Sequence, residues 1–209
     1  MRTAIQAVLI LGILVLTYLL YESIMKPIRF NQERDERYGK TISRLKDIRT
    51  AQVAFKAENG LYTADFDSLI TFIKSGNFRV VVKIGSLSDS LIEAGWNEKK
   101  ALKAGIIKRD TLLVPIRDSL FGKNYPIDSL KYVPFTKGEV FKLGTAVIET
   151  GSKVRVNVFE ASVLNSVLLD GLDKQLVINF SDERKKLTGF AGLKVGSLEE
   201  ATNNAGNWE

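Results

Sequence analysis

Residues 4–21 read AIQAVLILGILVLTYLLY, an uncharged apolar run in which only Gln6 and Thr17 are clearly polar. As a helix rising about 1.5 Å per residue, the run is roughly 27 Å long, close to the hydrocarbon thickness of a bilayer. No face of it is polar, so a surface helix of a soluble domain is a poor fit. Tyr18 and Tyr21 stand where an interfacial aromatic belt would lie, and Lys26 and Arg29 mark the return to water. A cleaved signal peptide would have a shorter apolar stretch and a small-x-small site. Here the run ends Leu19-Leu20-Tyr21-Glu22-Ser23. The expectation is an uncleaved, single-pass anchor over residues 1–25 that meets the lipid bilayer through residues 4–21.

Charge around the run bears on orientation. Arg2 precedes it, whereas Lys26, Arg29, Arg34, Arg37 and Lys40 come after it. Counted alone, those residues would keep the rest of the chain in the cytoplasm. A very short tail before a long apolar segment is instead how a signal anchor exports the domain attached to it, and that architecture favours an exported head. Of the basic residues after the span, Lys26, Arg29, Arg34 and Arg37 would also attract anionic headgroups, at about 1 kcal/mol each near the surface.

Among all 209 residues there is no cysteine and no histidine. That removes Cys nucleophiles, His-based triads, disulfides and the usual zinc and haem ligands. No P-loop is present, and Gly189, Gly192 and Gly196 do not form a dinucleotide fingerprint. Asp170-Gly171-Leu172-Asp173 lacks the alternating oxygen ligands of an EF-hand and reads as a Gly turn. No catalytic residue, cofactor or metal ligand is expected. The net charge of +6 raises the question of nucleic acid. However, the densest basic stretch, Lys99, Lys100, Lys103, Lys108 and Arg109, has no aromatic interleaving beyond Trp96 and reads as a solvated face, so no nucleic-acid partner is expected.

Past the span, Pro27 is expected to kink or break the helix. A second helix is expected from Asn31 to Asn59. Its Tyr38, Ile42, Leu45, Ile48, Gln52 and Phe55 recur at steps of three or four and share a face, and Asn59-Gly60 stops it. A short helix over residues 65–75 completes a stalk at 26–76. Next comes a β-rich head at 77–196, with strands expected at 78–84, 111–116, 130–135, 140–149, 153–160 and 175–180. Residues 149–152 form a hairpin turn, and 88–104 form a helix split at Gly95-Trp96-Asn97, with Leu91, Ile92, Ala94, Ala101 and Leu102 apolar. The gaps are mostly too short for crossover helices, so pairing should be antiparallel. Asp-Ser-Leu recurs at Asp67, Asp89, Asp118 and Asp128 at irregular intervals, which suits caps and turns rather than a repeat. The fold class is α+β: a transmembrane helix and amphipathic stalk, then an antiparallel β-rich head, with a polar tail at 197–209.

The segment Ile48-Arg49-Thr50-Ala51-Gln52, through Phe55-Lys56 into Glu58-Asn59-Gly60-Leu61-Tyr62, resembles the end of the long helix in type IV pilins and type II secretion pseudopilins. The resemblance covers about the first 85 residues. It implies a pilin-like shape and a structural or assembly role in a bacterial envelope or secretion machine, with the anchor in the inner membrane and the head periplasmic. Two pilin features have no counterpart: a basic leader ending in Gly, and a Glu inside the apolar segment. That points to a minor component or scaffold rather than a major pilin. Its partners would be other membrane or envelope subunits, as a homo- or hetero-oligomer. Candidate contacts are Gln6, whose amide seeks an interhelical hydrogen bond, the stripe Ile42, Leu45 and Ile48, and Trp208, either a docking anchor or a pin holding the tail to its own head. A membrane-tethered ligand-binding or sensory head is the alternative.

Overall fold

The structure, a computed structural model, describes residues 2–93 and 95–209. In chain order the elements are α1 (Arg2–Asn59), α2 (Phe66–Ser75), β1 (Asn77–Ile84), α3 (Asp89–Glu93), α4 (Glu98–Lys103), β2 (Lys108–Pro115) and α5 (Ile116–Leu120), then a 3-10 turn at Ile127–Lys131. The remainder comprises β3 (Lys142–Glu149), β4 (Arg155–Leu164), α6 (Asn165–Leu168), α7 (Lys174–Thr188) and β5 (Gly192–Gly196). The α+β class and the antiparallel pairing are as expected, and the strands form two small sheets. The contacts divide the chain into two compact units, residues 1–65 with 130–209, and residues 66–129.

In the first unit, α1 runs through Pro27 as one helix, which corrects the expected break and the separate second helix from Asn31. Tertiary contacts flank the proline on both sides: Lys26 is tied to Asp173 just before it, and Phe30 is buried just after it. Gly60, at φ +80°, donates its N–H to the Lys56 carbonyl at 2.8 Å and ends the helix as the Asn-Gly signal predicts. α1 lies against the three-stranded antiparallel sheet β3-β4-β5, nearest β5. The expected hairpin joins β3 to β4, with Glu149 opposite Arg155.

Two expectations in this unit are corrected, and one strand was not expected. Residues 175–180 belong to α7. Asp173 caps that helix by accepting the Leu176 N–H at 3.0 Å, Gln175 bonds Asn179 one turn on, and left-handed Gly189 closes it. Residues 130–135 are not a strand. Pro134 lacks an N–H, and the chain turns back so that Val133 bonds Glu139 at 2.8 Å and Tyr132 forms only an isolated bridge with Val140. The unexpected strand is β5. Its Gly192 and Gly196 permit an approach to β4 in which an added Cβ would fall 2.1 Å from the carbonyl oxygens of Val163 and Phe159.

The second unit places α2 on α5 and β2 over a core of Phe66, Leu69, Ile70, Ile73, Ile107 and Ile116. β1 and β2 pair along their length, from Asn77 opposite Pro115 to Ile84 opposite Lys108. The expected split helix is α3 and α4. Asn97 caps α4 by accepting the Lys100 N–H at 2.9 Å, and Ala94 lies outside the described residues. All four Asp-Ser-Leu aspartates fall in the first turn of a helix, where a negative charge meets free N–H groups.

Candidate membrane anchor and its collar

Along the first part of α1 the large apolar side chains from Leu9 to Tyr21 are 50% to 67% exposed, on every side of the helix. An apolar surface this continuous is rare on soluble monomers and marks a membrane or protein contact. Among the described residues α1 is the one helix long and apolar enough to cross a membrane, with an 18-residue window of mean hydropathy 1.7, none of it buried. Thr17 satisfies its own hydroxyl by donating to the Ile13 carbonyl at 2.8 Å, while Gln6 is exposed near the start of the helix.

Above the apolar run comes a collar of paired charges. Lys26 Nζ is 2.7 Å from Asp173 Oδ2, and Arg29 is 3.7 Å from Glu22. The hydrogen bond from Lys26 holds the Asp173 carboxyl below its ordinary range, helped by the Leu176 N–H, and Asp173 raises Lys26 in turn. Arg34 donates twice to Asp35 and stacks on Phe180 at 4.7 Å. Arg37 donates to Glu33 and to the carbonyls of Leu168 and Asp170, at 3.1, 3.1 and 2.9 Å. The basic residues expected to face lipid are therefore engaged by the chain's own carboxylates, carbonyls and aromatic rings.

Farther along α1 the surroundings invert. Leu45 and Ile48 are 0% exposed, and Ile42 is half-buried. The residues expected to bind a partner are instead part of the first unit's own core, where the sheet β3-β4-β5 packs on α1. Gln52, also fully buried, donates to the Thr63 carbonyl at 2.7 Å and accepts the Thr63 N–H at 3.2 Å, which fixes the loop after α1. The Tyr38 hydroxyl donates to Asn165 Oδ1 at the start of α6, and burial pushes that phenol up to about 12, against the opposing pull of Arg184 and Arg34. The Nδ2 of Asn165 is buried without a partner.

The tail docks on β5. Asn207 N–H bonds the Lys194 carbonyl at 3.0 Å, its side chain bridges Lys194 N–H and the Gly192 carbonyl, and Arg49 of α1 reaches Glu209 at 2.7 Å. Trp208 is half-buried over Gly206, with its indole Nε1 buried and unpartnered. These tail contacts are those of an intramolecular pin.

Sequence reasoning missed Gln52 as a clamp, Asn165 as the acceptor of Tyr38, and Asp173 as both cap and ion-pair partner. Only Asp173 carried a local signal, an acidic residue three positions before Leu176. Among the described residues no group of three or more Asp and Glu side chains converges on a metal position. In comparisons with protein-family models, curated proteins and solved structures, nothing matches this chain.

Proposed function

We propose that this protein is a non-enzymatic, single-pass membrane-anchored structural or assembly component of a bacterial envelope or secretion machine, pilin-like in shape, with its anchor in the inner membrane and its head in the periplasm. The observation that carries the reading is the division of α1: one unbroken helix is apolar on every side over its first third, then packs on a small antiparallel sheet. A long helix carrying a sheet on its second half is the shape the pilin resemblance implies. Support for a non-enzymatic role comes from the polar groups buried beside α1. Gln52 and Tyr38 are engaged in holding the fold.

With Leu45 and Ile48 buried, association with neighbouring subunits falls to the span itself, including Gln6, and to the outward face of α1, where Val53 is 47% exposed. Photo-crosslinkers placed at Gln6 and Val53 in the native membrane are expected to give adducts of defined mass. Monomeric protein in mild detergent together with no protein adduct at either position would contradict the assembly role.

A further inference from the structure

The head of this protein begins very close to the end of its apolar run. From Tyr21 to Lys26 along α1 the rise is about 7.5 Å. One headgroup layer of a bilayer is about 5–8 Å deep. Lys26 is already 2.7 Å from Asp173, and Phe30, one turn on, is already buried. The head thus reaches the helix inside the depth a headgroup layer occupies, whichever side it faces.

We propose that the loop 170–173 and the first residue of α7, Lys174, are immersed in the phospholipid headgroup layer of the bilayer that α1 crosses; this rests on reading residues 4–21 as the span. The surface there has the mixed polarity such a layer demands. A groove of about 320 Å³ between α1 and this loop has Phe30 and Leu172 as apolar lining and Glu22, Lys26, Arg29 and Asp173 as charged walls. Its first lining residue, Glu22, directly follows the apolar run in sequence. The surface does not select negative lipids: Lys26, Arg29, Arg37 and Lys174 are matched by Glu22, Glu33, Asp170 and Asp173, and the first three cations are already paired. Immersion of this loop is therefore set by depth, not by lipid charge.

The chain has no cysteine, so single labelling sites are clean. Leu172→Cys, Lys174→Cys, Leu14→Cys and Ser152→Cys would each carry an environment-sensitive fluorophore on the full chain. The proteins are reconstituted into phosphatidylcholine vesicles with or without phosphatidylglycerol. Ser152 lies in the hairpin beyond Asn157, which meets Lys56 and Gly60 at the opposite end of α1. The expected result is headgroup-nitroxide quenching at positions 172 and 174, iodide access there several-fold below that at 152, and no change with anionic lipid. Position 14 should be quenched by a tail nitroxide. If position 14 is tail-quenched while 172 and 174 are as open to iodide as 152, this inference fails and the span stands. If position 14 is open to iodide, the span reading fails and the inference with it. Quenching at 172 and 174 that requires phosphatidylglycerol overturns the charge-independent form.

Discussion

Leu14 and Leu45 belong to the same helix, yet Leu14 is 62% exposed and Leu45 is 0% exposed. Around Leu14 apolar residues occupy every direction, so no single protein face could cover them, and a bilayer is the surrounding that the run is long and apolar enough to match. Around Leu45 they recur every three or four residues and polar residues fill the rest, so one sheet is enough. The distribution of apolar residues around a helix, rather than their amount, selects what covers it. The collar between Glu22 and Arg37 is where one regime gives way to the other, and its cations are consumed by the chain's own partners.

The largest effect expected from this contrast is Leu45→Ala, which should lower head stability by about 2–5 kcal/mol as a core cavity. Leu14→Ala should leave the head's thermal midpoint unchanged, because nothing in the head touches it. Equal effects at the two positions, measured by thermal melts in the same detergent, would erase the contrast.

Next is Gln52→Leu, which preserves bulk but leaves both the N–H and the carbonyl of Thr63 without the amide. A loss of about 1–3 kcal/mol is expected, and hydrogen exchange at Thr63 should quicken. An unchanged exchange rate would show that the loop is held by something else.

Tyr38→Phe leaves buried Asn165 without its donor and should cost about 1–2 kcal/mol at neutral pH. The pH dependence comes from the raised phenol. An unfolded tyrosine ionises near pH 10, whereas the folded one keeps its proton to about 12. Between those values the unfolded state holds fewer protons, so native stability falls as pH rises through the window. Removing the hydroxyl should flatten that slope. A slope unchanged in Tyr38→Phe would assign it to other groups.

The smallest effect is at Lys26–Asp173, where both side chains meet solvent. Asp173→Asn keeps a cap oxygen but loses the ion pair. The depressed carboxyl contributes stability above its unfolded range, and that contribution is lost as pH falls through its still lower folded value. The raised amine contributes below its ordinary range, and that contribution is lost as pH rises through its raised value. Acid titration of the variant by circular dichroism should show a shallower loss than the parent. A steeper loss would contradict this assignment.

Much of this architecture was legible in the sequence because it is written locally. The uniform apolar run, the three-four stripe, the Asn59-Gly60 stop and the 149–152 hairpin each rest on neighbouring residues. The parts that were not legible depend on the fold. Leu176, Val177 and Phe180 look β-compatible until Asp173 and Gly189 are seen to cap them, and β5 is only five residues whose glycines make sense once β4 lies against them. The candidate contacts suffered from the same limit. A stripe of Ile42, Leu45 and Ile48 is equally a partner surface or a core, and only the sheet folded back from more than a hundred residues away decides it.

Everything else depends on residues 4–21 crossing a bilayer and separating the start of the chain from its head. The decisive measurement is accessibility of single cysteines, Arg2→Cys and Glu209→Cys, to an impermeant maleimide in spheroplasts, before and after lysis. Position 209 is expected to label in intact spheroplasts and position 2 only after lysis. Labelling of both positions on the same side of the membrane would contradict the crossing.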